Sequence, residues 1–280
     1  MRTLPSRDVD RPNDAPTPDD VVHVDPDDSD AVLALFASIC DRTAALLAAN
    51  GDWSASGERD GQYTVDVDID ASCLDILHAA GFAVLSEESG WTGTAAGEEP
   101  VHVVVVDPLD GSTNAALGLP WCATALCLVS HGVPVVAMVA NLRTGDRYSA
   151  IRGAGAHRNG RPIRVGTARV LADSVIAVNA RPPGAFRPAQ YRSMGATALD
   201  IVSVADERGF DGSIDFDDDR IGVWDYLAAA TILAEAGGVV ADVRGRDLIT
   251  LDHDARRRPV AASSPELLAE LLEVASPARS

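Results

Sequence analysis

Residues 103–114 read VVVVDPLDGSTN: four valines run into two aspartates three positions apart, then into a glycine, two hydroxyl residues and an asparagine. Asp107 and Asp110 flank a Pro-Leu pair, so a bend can turn both carboxylates, and the Leu109 carbonyl between them, toward one point. Hard divalent cations take oxygen ligands, and Mg²⁺ is usually held by a few carboxylates plus a substrate phosphate. Gly111 permits close backbone approach, while Ser112 and Thr113 offer hydroxyls and amides where a helix begins, an arrangement that suits an anion. Carboxylates and phosphate repel one another unless a cation sits between them. Two more acids stand at element ends, Glu87 after a strand and Asp225 at a helix start. The pattern points to metal-dependent phosphoryl chemistry, in which two cations about 3.5–4 Å apart activate water and stabilise the leaving oxygen.

The elements that position these groups follow from periodicity. Val32, Leu35, Phe36, Ile39, Cys40, Leu46 and Leu47 recur at helical spacing, with Asp28, Ser29 or Asp30 as caps. QYTVDVDID alternates apolar and polar residues from Tyr63 to Asp70, the period of a half-solvated strand, and ASCLDILHAAG then reads as a second helix. FAVLSEESG is a short strand ending in adjacent glutamates, and VHVVVVDPLD a buried one. Antiparallel strands follow through His131-Gly132, Thr144-Gly145 and Asn159-Gly160 turns. In the second half come the strand SVIAVNA, a Pro-rich loop, a helix over about 196–208, the strand GSIDFD, the apolar helix WDYLAAATILAEAGG with a Gly-Gly stop, a strand GVVADVRG and a terminal helix. Strands and helices mix without strict alternation, which predicts a layered α+β fold. Residues 1–29 read as a disordered acidic tail, 30–168 as an N-terminal lobe with the carboxylates, and 169–280 as a C-terminal lobe that completes the site.

Composition narrows the partners. A formal charge of −19 excludes the basic footprint that nucleic acid or an anionic membrane surface requires. All 23 basic residues are arginine, so Schiff-base chemistry and a P-loop lysine are ruled out. No run of about 18 uninterrupted apolar residues and no signal-peptide core is read from the chain, so a cytoplasmic protein is expected, with no membrane partner. Cys40, Cys73, Cys122 and Cys127 lie among apolar neighbours without metal spacing and read as reduced, buried thiols.

The order Glu87-Glu88-Ser89, Asp107-Pro108-Leu109-Asp110-Gly111-Ser112-Thr113, Trp224-Asp225 and Gly237-Gly238 resembles the inositol monophosphatase family, of the lithium-sensitive Mg²⁺-dependent phosphatases that include fructose-1,6-bisphosphatases. A serine, Ser86, stands where the family usually has glycine before the two glutamates. The resemblance implies a layered α-β-α-β-α sandwich and a Mg²⁺ cofactor. Glu87, Asp107 and the Leu109 carbonyl would hold the metal that activates water; Asp107, Asp110 and Asp225 would hold the second. Ser112, with Glu87 and Asp68, would orient and deprotonate the nucleophile, although Asp66 and Asp70 compete for the place given to Asp68. Gly111 and Ser112 amides, with Thr113 nearby, would take the phosphate. Gly195, Ala196, Thr197 and Asp218, together with Asp225, would stand beside the rest of a small phosphorylated substrate. A homodimer is implied, for which residues 121–150 could supply an interface, and the loop Asp52–Gln62 is expected to close over the site.

Substrates in keeping with this reading are inositol-1-phosphate first, then fructose-1,6-bisphosphate and histidinol phosphate. A short link between Val170 and Arg192 disfavours a phosphoadenosine nucleotide. The haloacid-dehalogenase pattern fails because it needs one residue, not two, between its aspartates, and a lysine that this chain lacks. A non-catalytic regulatory protein on the same fold is the reading from another class. The remaining histidines, Trp91, Trp121 and Arg256–Arg258 are expected to pack or to face solvent.

Overall fold

The computed structural model describes residues 23–49, 53–56, 62–94 and 100–275. Most of the predicted tail and most of the expected closing loop lie outside the described residues.

Two sheets organise the chain. The larger is built from β1 (Ala83–Ser86), β2 (Gly90–Thr92), β3 (His102–Asp110), β4 (Ala123–Ser130), β5 (Val133–Asn141), β6 (Arg147–Ile151), β7 (Gly155–Arg158) and β8 (Arg161–Ile163), in the order β2-β1-β3-β4-β5-β6-β7-β8. Only β1 and β3 run parallel; each later neighbour returns antiparallel. Left-handed residue pairs make two of these returns, His131-Gly132 (φ 50° and 74°) and Asn159-Gly160 (φ 52° and 72°), the geometry whose twist matches flanking strands. The smaller sheet holds β9 (Val175–Asn179), β10 (Gln190–Arg192), β11 (Gly212–Asp215), β12 (Val239–Asp242) and β13 (Pro259–Ala262), ordered β10-β9-β11-β13-β12.

Helices fill three layers around them. α1 (Ser29–Ala49) and α2 (Thr64–Ala79) bury Val32, Phe36, Ile39, Val65, Ile69 and Leu77 against one face of the large sheet. Beyond the one-turn α3 (Ser112–Ala116), α4 (Thr197–Val202) and α5 (Val223–Glu235) pack their small and apolar residues in a second core with the large sheet's other face and Ala261 of β13. α6 (Pro265–Ala275) closes the far side of the small sheet through Leu267 and Leu271. The result is the α-β-α-β-α sandwich, an α+β fold. α5 stops as its glycines require: Gly237 takes φ 89°, its amide reaches Ala234 O, and Gly238 N reaches Leu233 O, a Schellman cap.

One expectation changes. The segment 64–70 is helical, not a strand: Val65, Ile69, Cys73 and Leu77 form one buried stripe at four-residue spacing, and this stripe overrides the local alternation. α1 is long and apolar enough to cross a bilayer by length and composition; in this fold its apolar stripe is spent on α2 and the sheet. Within residues 121–150, β4 is buried from Ala123 to Val129 and β5 from Val136 to Asn141, and the free surface lies at 131–135 and 142–147. All four cysteines are buried, and desolvation pushes the thiols of Cys40, Cys73 and Cys127 up to about 12.

Candidate active site

β1 and β3 run parallel, so both end at the same edge of the large sheet, and Glu87, whose amide donates to Val106 O at 3.2 Å, emerges beside Asp107. On a regular strand, residues three apart face opposite ways. Here Asp107 pairs with Ala125 and Asp110 with Ala123, so β3 carries one extra residue at Pro108-Leu109. That bulge restores the parity and brings Asp110 to the side of Asp107. Thr124 Oγ1 donates to the Pro108 carbonyl at 2.9 Å and the Leu109 amide to Asp107 Oδ1 at 3.0 Å, which hold the bulge shut.

Helix starts supply the rest. Asp225 is the third residue of α5 and accepts from the Gly222 amide at 2.7 Å; Asp66 is the third residue of α2 and accepts from the Tyr63 amide at 2.8 Å. Carboxylates at these positions are favoured by the exposed amides of a first turn. The two oxygens of Asp110 accept the Thr197 and Ala198 amides of α4 at 3.1 and 2.7 Å. Gly111 follows in the left-handed region, φ 82°, where a Cβ would stand 3.0 Å from Ala196 Cβ and from the Trp121 carbonyl. Asn114 ties the same corner by donating to the Trp121, Met194 and Gly195 carbonyls.

These groups line one cavity of about 250 Å³: Gln62, Asp66, Glu87, Glu88, Asp107, Leu109, Asp110, Gly111, Ser112 and Asp225. Carboxylate oxygens of Glu87, Asp107 and Asp225 lie within 4.8 Å of one another. Asp107 Oδ2 is buried with no hydrogen-bond partner. Burial, then Glu87, Asp110 and Asp225, drive the Asp107 carboxyl far above the usual range. Burial raises Asp110 to about 8 against the pull of the Ala198 amide, with Asp200 and Glu87 adding to the rise. Asp225 rises to about 7 by burial and by Asp110. A buried oxygen lacking a donor, inside a ring of mutually repelling carboxylates, is a donor set that fits a hard divalent cation.

The expected residues are not all brought together. Asp68 lies on the exposed side of α2 because the segment is a helix, and Asp66 takes its place in the cavity. Thr113 is exposed and Asp218 sits on an exposed loop, neither in the cavity lining. Gly195, Ala196 and Thr197 stand behind Gly111 and Asp110 as supports, outside the lining. Arg256–Arg258 are half-buried rather than freely solvated: Arg256 lies 5.0 Å over the Trp224 ring, and Arg257 and Arg258 donate to the Asp247 and Asp215 carbonyls. His253 stacks on Trp224 and meets the Glu87 carbonyl at 3.3 Å. Trp121 packs as expected, yet its indole N–H donates to Asp200 Oδ1 at 2.9 Å. Asp200 escaped the sequence reading; Glu88 and Asn114 stood in the quoted motifs and Gln62 in the expected closing loop without a role assigned, and Asp66 was already a competitor for the place of Asp68.

A model of the inositol monophosphatase family matches residues 31–279. The chain is 30% identical to the inositol-1-monophosphatase ImpA of Mycolicibacterium smegmatis over 278 residues, covering 91% of this chain and 95% of that protein. It is also 30% identical to the Nus factor SuhB of Pasteurella multocida over 209 residues, 69% of this chain and 73% of that one. Among solved structures, the extragenic suppressor protein suhB of Bartonella henselae superposes with a TM-score of 0.74 at 27% identity, covering 89% of this chain and 99% of that one. With its fold, its carboxylate cluster and the family match over residues 31–279, this chain belongs to the inositol monophosphatase family.

Proposed function

We propose that the cavity hydrolyses the phosphomonoester of a small polyol or sugar, inositol-1-phosphate first, with Mg²⁺ as cofactor. The observation that carries this reading is the orphan Asp107 Oδ2 beside Glu87 and Asp225, within 4.8 Å. Glu87, Asp107, Asp225 and the Leu109 carbonyl would hold the cation, and Asp110 would join them with lone pairs its α4 amides leave over. When bound, Mg²⁺ supplies Lewis acidity for the phosphoryl group and acidifies the attacking water. The Gly111 and Ser112 amides take phosphate oxygens, both residues lining the cavity. The Ser112 hydroxyl would orient the water and the Glu87 carboxylate would take its proton, with Asp66 lining the same cavity. A cavity of about 250 Å³ favours a small ester over a nucleotide.

The test is phosphate release with Mg²⁺ from inositol-1-phosphate, fructose-1,6-bisphosphate and histidinol phosphate, each with and without Li⁺. Lithium-sensitive turnover of one ester supports the proposal. The likeness to a protein named as a Nus factor favours one second reading, a regulatory binding protein. Mg²⁺ binding without turnover of any ester would favour that reading instead.

A further inference from the structure

A second and larger recess, about 790 Å³, opens where the β7–β8 hairpin meets the turn after α4; Arg158, Arg161, Arg164 and Arg208 line it with Asp146, Asp206 and Glu207. It shares no lining residue with the acidic cavity. In a chain of net charge −19 this is a local excess of cations, four arginines against three carboxylates. The carboxylates are largely committed. Asp146 and Asp206 both bind Arg158, at 2.8 and 2.9 Å, and Asn159 donates to Asp146 as well. Arg158 is further fixed over the Tyr148 ring at 5.3 Å. Among the described residues Glu207 reaches only Arg164, at 3.7 Å, with both side chains mostly in water. Arg161 and Arg208 are exposed and, among the described residues, neither guanidinium has an ion pair or hydrogen bond.

Their positions are built rather than trailing. Arg161 follows the left-handed Asn159-Gly160 pair of a two-residue hairpin. Arg208 sits in a turn closed by Asp206 Oδ1 on its own amide and by Gly209 N on the Asp206 carbonyl at 2.7 Å. A Cβ at Gly209 would collide with the Ser203 carbonyl, at 1.8 Å, so this close turn requires glycine there. Guanidinium groups bind oxyanions in pairs of parallel hydrogen bonds, and two uncommitted ones over a recess suit a ligand with two oxyanion groups. The volume lies in the range of small-molecule sites, roughly 300–1,000 Å³.

We propose that this recess is an anion-binding site for a phosphorylated small molecule with at least two oxyanion groups, held by Arg161 and Arg208 with Arg164 at its rim. Diphosphate is the simplest probe. The experiment is calorimetric titration of diphosphate into metal-free protein at about 0.1 M salt. Without a divalent cation the acidic cavity repels a polyanion, so binding under these conditions reports the arginine recess and does not depend on the proposed phosphatase reading. Saturable binding is expected, at least tenfold weaker in Arg161→Ala/Arg208→Ala and within twofold of wild type in Asp225→Asn. Absence of saturable binding, equal binding by the double variant, or binding that appears only after Mg²⁺ is added would each overturn the proposal. Both arginines are exposed surface residues, so a circular dichroism melt of the double variant should overlay the wild type and keep the comparison valid.

Discussion

Replacing Asp107 with asparagine should stabilise the metal-free protein while removing its response to Mg²⁺. The new amide keeps an oxygen for the Leu109 N–H, which now lies 3.0 Å from Asp107 Oδ1. Its NH₂ would occupy the place of the orphan Oδ2 and face the Glu87 and Asp225 oxygens as a donor. The three oxygens all lie within 4.8 Å of one another, so two full charges there would repel by at least about 3.5 kcal/mol at an effective dielectric near 20, a cost that the upward shift of Asp107 partly relieves. Asp225 and Asp110, raised to about 7 and about 8, are partly protonated near neutrality. The net gain at pH 7.5 is therefore nearer 1–2 kcal/mol, or about 3–6 °C in Tm for a chain of this size. The sign follows from linkage. Carboxyls whose folded pKa is raised favour the native state fully below about pH 4, and that contribution is lost as pH rises through about 7–8. The gap between variant and wild type should hence be widest at pH 8 and close toward pH 4.5. Mg²⁺ at about a hundred times its Kd should add roughly 2.7 kcal/mol to the wild type and nothing to the variant. Thermal melts at both pH values, with and without Mg²⁺, decide the matter. A variant that melts no higher than wild type at pH 7.5 without metal, or that still gains from Mg²⁺, refutes the electrostatic account.

Three further outcomes are expected. Gly111→Ala forces a Cβ within 3.0 Å of two neighbours at φ 82°; turnover should fall at least a hundredfold and Tm by several degrees, about 1–3 kcal/mol of backbone strain, and normal phosphate release would contradict the cradle. Asp66→Asn should slow hydrolysis at least tenfold while Asp68→Asn stays within twofold, and steady-state kinetics showing the reverse order would return the role to Asp68. Asp200, raised to about 7 by burial, keeps an acceptor for the Trp121 indole if changed to asparagine; Asp200→Asn should raise Tm most above pH 7, with the gain shrinking through pH 5 and vanishing below about pH 4, which a pH series of melts will show.

Much of the site could be read from the sequence because its parts are local. The run from Val103 to Ser112 contains a strand, a bulge, two acids and a turn in ten residues, and each type has a physical reason to be there. The α5 stop was equally visible, since Gly237-Gly238 after an apolar helix has few other uses; of the second sheet β9, β11 and β12 were legible, whereas the short β10 and β13 (Pro259–Ala262) were not. Asp68 failed for a definite reason. TVDVDID satisfies the two-residue period over seven residues, but the contacts that decide its conformation are Ile69, Cys73 and Leu77 against α1 and the sheet, and a short window does not contain them. Asp200 was invisible in another way, its partner Trp121 lying about 80 residues distant; Asn114 stood in the motif, but its bond to Met194, about 80 residues away, did not show. Nothing in a single sequence reports a hydrogen bond of that span.

The bulge at Pro108-Leu109 also sorts the kinds of sequence change this protein can absorb. A different side chain at either position alters how firmly the corner is held, a matter of degree. Losing or gaining one residue there would swing Asp110 to the opposite face of β3, away from Asp107 and from the α4 amides at 2.7 and 3.1 Å. The length of this short stretch is thus a sharper constraint than its composition, and an engineer free to vary both letters has no freedom to vary their number.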